Sequence, residues 1–247
     1  VIFTATPAGV AACKEGDVVT VRRLSFVGVS AVDEARLRSA LATREGSRFP
    51  WGSKAVFDRS RFDADLKRVE AFYADRGYPD ARVTRTDVRL NRAQDSVEVE
   101  LVIAEGEPVR VAAVNMRGFE VIPPDRVRAL ATDPALTVGR PRDLLHVNAM
   151  RDLVLNELRE HGYPYAKVSI DENRDEGAKE TTFTYTAEPG PLASFGSVEI
   201  AGNVSVAERV IRRQLTYQPG ELYRRSLVRG SQRRLYGMEL FQFVNIE

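Results

Sequence analysis

The chain has 247 residues, of which 43% are hydrophobic and 29% charged, as expected for a globular protein with more than one folded unit. Its 36 basic and 35 acidic residues leave a formal charge of +1. This balance argues against a nucleic-acid partner, because phosphate binding usually requires a basic surface. Local basic runs at 212–215 and 223–236 are typical of solvated helix faces. No run of about 18 consecutive apolar residues occurs, so the sequence predicts no transmembrane helix.

The first 18 residues are predicted to form an N-terminal tail. They contain the single cysteine, Cys13, within the tetrad VAAC (10–13), whose small residues are typical of a lipidated cysteine. The tail is interpreted either as the remnant of a signal segment with a lipid on Cys13 or as an untethered extension. One cysteine also excludes an internal disulfide and a multi-cysteine metal site.

The first predicted module covers residues 19–106 and has the order β-α-α-β-β. A strand that ends in glycine precedes two helical runs, and the second run ends at a Gly-Tyr-Pro motif. Two strand-like stretches joined by a polar turn close the module. In chain order the segments are LSFVG (24–28), VDEARLRSAL (32–41), FDADLKRVEAFYADR (62–76), GYPDARV (77–83), ARVTRTDVRL (81–90) and SVEVELVIA (96–104).

The second predicted module, residues 107–190, repeats the same order. It has its own glycine-ended strand, Gly-Tyr-Pro motif and closing pair of strands, and alternation of apolar and polar residues again marks half-buried strands. The segments are VNMRG (114–118), PPDRVRALA (123–131), NAMRDLVLNELREH (148–161), GYPYAKV (162–168), AKVSIDE (166–172) and ETTFTYTAE (180–188).

The third predicted module, residues 191–247, begins this order again and is predicted to be incomplete at its C-terminal end. Its predicted segments are a strand at 198–202, helices at 206–215 and 224–238, and a strand at 241–247. Asp33 and Ser205 are predicted to cap helices, and Pro124 suits a first helical turn.

The repeated glycines and the tyrosines beside two of them are predicted to have structural roles. Glycines at the strand ends are expected to adopt a turn conformation, and those of the Gly-Tyr-Pro motifs to cap helices at C′. The tyrosines are expected to be core or interface aromatics. These residues are Gly28, Gly118, Gly202, Gly77, Gly162, Tyr78 and Tyr163.

Each module is predicted to be a two-layer α+β unit in which helices cover one face of a three-stranded sheet. Such a sheet keeps edge strands with unpaired backbone groups, to which an extended peptide can add a strand. The strand after each Gly-Tyr-Pro motif is the candidate binding edge; alternatively, its polar residues protect the edge from aggregation. The candidate residues are Arg82, Val83, Thr84, Arg85, Thr86, Lys167, Val168 and Ser169. Those expected to point outward are Arg82, Thr84, Thr86, Lys167 and Ser169.

No catalytic, metal-binding or cofactor-binding residue is predicted. His146 and His161 do not stand in a ligand spacing with each other or with the cysteine. No nucleophile-elbow or phosphate-binding glycine motif occurs, and the acidic pairs lie in a hairpin turn where carboxylates are solvated. The sequence therefore predicts a protein that is not an enzyme; an enzyme with a site built between modules is a third alternative, because such joints are common ligand sites.

The glycine-ended strands, the helix–Gly-Tyr-x-x-Ala-x-Val junctions (77–83 and 162–168) and LYGMELFQFVNIE (235–247) resemble the POTRA (polypeptide-transport-associated) repeats of the BamA/TamA superfamily of outer-membrane protein assembly factors. The resemblance extends from about Val19 to Glu247, and the number of repeats is similar to that of TamA-type proteins. Glu239 departs from the family pattern, which usually has a glycine at this place.

The resemblance implies that each module has a three-stranded mixed sheet under two antiparallel helices. It also implies a location at the periplasmic face of the bacterial outer membrane and a membrane β-barrel beyond residue 247. Unfolded outer-membrane proteins, bound by strand addition and passed to that barrel, or periplasmic partner subunits are the implied partners. The alternative is a rigid periplasmic scaffold that docks partner subunits of a transport complex or of a two-partner secretion-type transporter.

Overall fold

The computed structural model describes residues 19–47, 55–131 and 138–246, with the side chain of residue 131 left aside. The chain divides into two compact units, which are Val1–Val109 with Pro141–Leu144 and Arg110–Arg140 with Leu145–Glu247. Each unit contains one three-stranded mixed sheet with helices, so the α+β fold class inferred from the repeats is confirmed.

The sheet of the first unit is formed by one β-α-α-β-β module. Its elements are β1 (Thr20–Val27), α1 (Glu34–Ala40), α2 (Arg59–Asp75), β2 (Arg82–Leu90) and β3 (Ser96–Ala104). The strand order is β1-β3-β2, with β3 parallel to β1 and antiparallel to β2. The parallel pair needs a long crossover, and the two helices lie within it.

Side-chain caps explain where the two helices of this module begin. Asp33 is the N-cap of α1, as predicted, and its carboxylate accepts hydrogen bonds from the N–H groups of Ala35 and Arg36. Asp58 caps α2 in the same way by accepting from the N–H of Arg61. Both carboxylates satisfy donors that the first helical turn leaves unpaired.

The core of the first unit lies between the central strand β3 and the helices. Alternate side chains of β3 are buried because one sheet face is covered, whereas the residues between them are more exposed. Helix α2 contributes the largest share of apolar side chains from the other layer. The buried residues of these two elements that meet in the core are Val97, Val99, Leu101, Ile103, Phe62, Val69, Phe72 and Tyr73.

The sheet of the second unit repeats this architecture. Its elements are β4 (Arg110–Arg117), α3 (Pro124–Ala131), α4 (Leu144–Glu160), β5 (Lys167–Asp175) and β6 (Glu180–Glu188). The strand order is β4-β6-β5, again with the central strand parallel to the first and antiparallel to the second. Helix α3 begins at Pro124, which agrees with the predicted first-turn position. Phe183 and Tyr185 of β6 are buried, and the Tyr185 hydroxyl donates to the Val147 carbonyl at 2.9 Å.

The rest of the second unit carries two helices, α5 (Glu208–Arg212) and α6 (Arg225–Tyr236). The strands predicted at 198–202 and 241–247 are wrong for this structure, since residues 198–202 and 241–246 form no strand. In the two complete modules the opening strand pairs with the last strand of the module. No described segment takes that place beside 198–202, and a strand without a partner gains no ladder hydrogen bonds.

The N-cap predicted at Ser205 is also wrong. Helix α5 begins after Ala207, which makes no side-chain capping hydrogen bond. Because alanine has no side-chain acceptor, this five-residue helix starts without the stabilisation that Asp33 and Asp58 give to α1 and α2.

The glycines of the two Gly-Tyr-Pro motifs lie directly after α2 and α4. Gly77 has a φ of +91°, and Gly162 has a φ of +97°. At the first motif the Tyr78 N–H donates to the Tyr73 carbonyl at 2.9 Å, and the Gly77 N–H donates to the Ala74 carbonyl at 3.1 Å. These two bonds form a Schellman motif, in which a left-handed residue ends the helix and turns the chain toward the next strand.

Candidate functional site

Both sheets are open, so each has two edge strands. The edges are β1 and β2 in the first unit and β4 and β5 in the second. The candidate residues lie on β2, which begins at Arg82, and on β5, which begins at Lys167. The four edges differ in whether other parts of the chain cover their free backbone groups.

The free edge of β1 is covered by loop segments. The Val21 N–H donates to the Ala55 carbonyl at 2.8 Å, and the Val21 carbonyl accepts from the Gly46 N–H at 2.8 Å. Further along, the Leu24 N–H donates to the Glu45 carboxylate at 2.8 Å. These bonds satisfy the groups that an added strand would need, so β1 is closed over this part of its length.

The first residues of β4 are covered in a similar way. The Val111 N–H donates to the Arg140 carbonyl at 2.9 Å, and the Val111 carbonyl accepts from the Gly139 N–H at 2.7 Å. An incoming strand would have to displace these bonds before it could pair with the start of β4.

The outer edges of β2 and β5 are open by comparison. Within the described ranges, no backbone hydrogen bond from outside the two sheets reaches either strand. The two strands that follow the Gly-Tyr-Pro motifs are therefore the edges at which this part of the chain leaves backbone donors and acceptors for another strand or for water.

A β-bulge interrupts the start of β2. Val83 pairs with Ile103, but Arg85 pairs with the adjacent Val102, so Thr84 is an extra residue. The Thr84 hydroxyl donates to the Val102 carbonyl at 3.1 Å. A bulge bends a strand and increases its twist, which makes the edge a poorer template for a flat added strand.

The same bulge overturns one predicted side-chain direction. Thr86 pairs with Leu101, whose side chain is fully buried in the core. Thr86 is half-buried and lies on this covered face, so the prediction that it points outward is wrong. Strict alternation from Thr84 would have placed it outward, but one extra residue shifts the alternation by one position. Arg82 and Arg85 are exposed.

Strand β5 has no such irregularity. It pairs with β6 without a register shift from Lys167–Glu188 to Asp175–Glu180, over all nine of its residues. Lys167 and Ser169 are exposed, whereas Val168 is half-buried and packs against the core of its unit. The free edge of β5 is thus long, regular and anchored by apolar side chains on its covered face.

Charged pairs near the ends of both open strands add fixed charges to these edges. Arg89 and Asp87 form an ion pair on β2, and the hydrogen bond with Asp87 raises the pKa of Arg89. On β5, Arg174 and Glu172 pair at 2.7 Å, and the hydrogen bond with Glu172 raises the pKa of Arg174. These ion pairs give both open edges charged side chains of the kind that is common on edge strands.

The remaining predicted residues lie outside β2 and β5. Gly28, Gly118 and Gly202 have φ values of +86°, +77° and +79°. Tyr78 is buried in the core of the first unit, and Tyr163 is half-buried against the core of the second. The tyrosines thus belong to the cores against which Val83 of β2 and Val168 of β5 also pack.

Among the described residues there is neither a candidate metal site nor a candidate membrane-spanning helix. They contain no group of three or more His, Cys, Asp or Glu side chains that could hold a metal ion. None of the helices in the same ranges is both long and apolar enough to cross a membrane. Cys13, the predicted lipidation site, lies outside the described residues. The chemistry that the candidate site offers is backbone hydrogen bonding along β2 and β5.

Tandem β-α-α-β-β modules with open-edged mixed sheets define a class of modular α+β repeat proteins. A family model described as POTRA, surface antigen variable number repeat, matches residues 19–106 and 193–247. Because the matched residues make up more than half of the chain, the protein belongs to the POTRA family.

The curated relatives include proteins named outer membrane protein assembly factor BamA. The protein of Neisseria meningitidis serogroup B is 23% identical over 235 residues, which are 94% of this chain and 29% of the relative. The protein of Neorickettsia risticii is 25% identical over 239 residues, which are 95% of this chain and 31% of the relative. The chain therefore spans less than a third of the length of these relatives.

A solved structure supports the fold. The crystal structure of POTRA domains 3–5 of BamA from Haemophilus influenzae is similar with a TM-score of 0.59 and 22% sequence identity. The similarity covers 92% of this chain and 89% of that structure. It agrees with the tandem arrangement inferred from the sequence repeats.

Proposed function

We propose that this protein is the periplasmic POTRA arm of an outer-membrane protein assembly factor, and that it binds extended segments of unfolded outer-membrane proteins by strand addition. The observation that carries the proposal is the uncovered edge of β5, which presents nine residues in unbroken register. Family membership and relatives named as assembly factors support the biological setting.

Strand addition suits a carrier that must accept many sequences and release them. The added strand is held mainly by main-chain hydrogen bonds, which make little demand on its side chains. Exposed Lys167 and Ser169 leave the outer face of β5 polar, so contacts there add little apolar burial and the complex stays weak. The client would then be passed to a membrane β-barrel that we place beyond residue 247, as in the arrangement implied by the family.

The two open edges are not equivalent under this proposal. An added strand needs donors and acceptors at a regular spacing, which β5 offers over its whole length. On β2 the bulge at Thr84 breaks that spacing within the candidate residues Arg82 to Thr86. We therefore place the main client contact on β5 and a shorter one on β2 after its bulge.

Proline substitution on β5 tests the proposal. Successive N–H groups of a strand point to opposite sides, so one of Val168 and Ser169 donates toward β6 and the other outward. Proline removes the backbone N–H, so the variant that loses a bond to β6 should be destabilised, whereas the variant that loses the outward N–H should fold normally. Of Val168→Pro and Ser169→Pro, the one whose circular dichroism spectrum and thermal transition match those of the parent is therefore the one that lacks the outward donor. In that variant, a photoreactive residue at exposed Asp171 should give at least threefold less adduct with a urea-denatured outer-membrane barrel protein.

Two further variants serve as comparisons for this test. Val83→Pro on the bulged edge is expected to reduce adduct formation less than the β5 variant. Asp152→Lys changes an exposed charge on α4 and should leave adduct formation unchanged. Full adduct yield from the folded β5 proline variant would contradict strand addition.

A rigid scaffold that docks partner subunits is the second candidate function, and one observation favours it. Glu160 of α4 accepts hydrogen bonds from the backbone N–H of Ser226, at 3.0 Å, and from its hydroxyl. Arg225 donates to the side-chain oxygen of Asn156. These contacts fasten α6 to α4 within the second unit, as a spacer requires. If Asp152→Lys disrupts a native complex while the β5 proline variant does not, the scaffold function is favoured.

A further inference from the structure

Helix α6 carries a stripe of arginines on one face. Arg225, Arg229 and Arg233 are spaced four residues apart and therefore lie on the same side of the helix. The helix contains no aspartate or glutamate that could pair with them along its own length. From its sequence alone this segment is typical of a solvated helix face.

The structure places this stripe beside α4 in a recess. The recess has a volume of about 190 Å³ and is concave, unlike the surface of a freely solvated helix. Its lining residues come from both helices: Asn156, Glu160, Arg225, Ser226, Arg229 and Arg233. Arg229 and Arg233 are exposed at the rim, and Arg225 is half-buried within it.

The carboxylates near the recess, Glu160 and Asp152, offset only part of its positive charge. Glu160 is the one carboxylate in the lining, against the three arginines of the stripe. Arg225 bonds to the neutral amide of Asn156. Within the described parts of the chain, none of the three stripe arginines forms an ion pair.

A fourth arginine adds to the unbalanced charge. The Nε of Arg159 is buried and has no hydrogen-bond partner among the described residues. Burial lowers the pKa of Arg225, the positive charges of Arg229 and Arg159 lower it further, and Tyr223 and Asp152 act in the opposite direction without outweighing them. Arginines therefore outnumber carboxylates around Arg225, and an added anion would offset the repulsion between their charges.

Several arginines elsewhere in the described chain pair with carboxylates. Arg212 pairs with Glu208 on α5, and Arg126 pairs with Glu157 at 2.7 Å. What distinguishes α6 is that three arginines line a single recess, although the net charge of the chain is only +1.

We propose that this recess binds the side-chain carboxylates of an acidic segment in a partner protein. The planar guanidinium fork bonds a carboxylate through two parallel N–H groups, which suits arginine better than lysine for this purpose. The stripe from Arg225 to Arg233 extends for about 12 Å at 1.5 Å per residue, enough for more than one acidic side chain. A concave recess admits a protruding side chain more readily than the flat surface of a bilayer.

Binding at this recess differs from strand addition in its chemistry and can be tested separately. Strand addition depends on backbone groups, whereas the recess depends on charge and should weaken steeply with added salt. The proposed occupant is a docking partner, so the inference goes beyond client binding and does not depend on it.

Binding of a fluorescein-labelled decaglutamate peptide to the 247-residue chain tests the proposal by fluorescence anisotropy. The double variant Arg229→Glu and Arg233→Glu should bind the peptide at least tenfold more weakly than the parent. The control is Arg22→Glu with Arg23→Glu, two exposed residues of β1 that give the same change in net charge. The control should stay within twofold of the parent.

Further outcomes separate the alternatives. Arg229→Gln with Arg233→Gln serves as a milder variant if charge reversal disturbs folding, and it too should lose most of the binding. Equal losses in the recess and control variants would overturn the proposal, because they would reflect general electrostatics. The proposal would also be overturned if the parent did not bind the peptide. Binding to vesicles that contain phosphatidylglycerol through the same arginines, without binding to the peptide, would point to a membrane surface and would likewise overturn it.

Discussion

Gly118→Ala is expected to destabilise the second module by about 2–5 kcal/mol, from a left-handed backbone penalty of about 1–2 kcal/mol and an overpacking cost of about 1–3 kcal/mol. Gly118 directly follows β4 and has a φ of +77°. A Cβ at this position would lie 2.3 Å from the carbonyl oxygen of Ala187 in β6, a distance that real Cβ atoms do not reach. The obstacle is backbone, so relief requires β4 and β6 to move apart.

Gly139→Ala is the matched control in the same module. Gly139 has a φ of +85°, but nothing lies within 4 Å of a Cβ built there. It should therefore cost only the left-handed penalty of about 1–2 kcal/mol. Urea unfolding followed by circular dichroism measures both variants. Equal costs would show that the close approach of Gly118 to Ala187 is relieved without loss of stability.

The glycine pattern explains why the modules could be predicted from the sequence. Gly28 stands in the first module where Gly118 stands in the second, and its Cβ would lie 2.3 Å from the Ile103 carbonyl oxygen. Both positions follow the strand that pairs in parallel with the central strand. A position that accommodates only glycine can be recognised in the sequence, and two such glycines at matching places in the two modules indicate the repeat.

The details of the candidate site could not be predicted in the same way. The bulge at Thr84 adds one residue without a distinctive residue type, so alternation placed Thr86 on the wrong face. The closure of β1 depends on Gly46 and Ala55, which are distant in sequence from Val21. The sequence predicts that edges exist, but which of them is covered depends on contacts that no local pattern encodes.

The third predicted module also shows that a local sequence pattern does not determine strand pairing. Residues 198–202 alternate as a strand should, yet they form none in the structure. Alternation reports which face of a segment is apolar, whereas a strand also requires a partner for its N–H and C=O groups. In both complete modules that partner is the last strand.

A second large loss of stability is expected when Asp65 is substituted. From its place in a helical sequence alone, this aspartate would be expected to be exposed to solvent. Asp65 is fully buried within α2. Its carboxylate accepts from the N–H groups of Ala42 and Thr43 at 2.9 and 2.7 Å and from Arg68 at 2.5 Å. It therefore anchors the loop that follows α1. Asp65→Asn replaces one acceptor oxygen with a donor and should cost about 2–4 kcal/mol through lost and unsatisfied hydrogen bonds.

Asp63→Asn, two residues earlier on the same helix, is the control. The Asp63 side chain is 52% exposed and pairs with Arg59 at 3.0 Å. A surface pair of this kind is worth about 0–1 kcal/mol, so Asp63→Asn should change the free energy of unfolding little. If the two variants cost the same, the loop anchor at Asp65 contributes no more than a surface charge.

The effect of Asp65 should also depend on pH in a defined direction. Burial raises the pKa of this carboxyl, but the hydrogen bonds from Thr43, Ala42 and Arg68 outweigh burial and lower the pKa below its ordinary value of 3.8. A carboxyl whose pKa is lower in the folded state contributes stability above the unfolded-state pKa and loses it as the pH falls through the folded-state pKa. The difference in unfolding free energy between the parent and Asp65→Asn should therefore be full at pH 6 and smaller at pH 3. A difference that stays constant across this range would show that the ionised form of Asp65 is not what holds the loop.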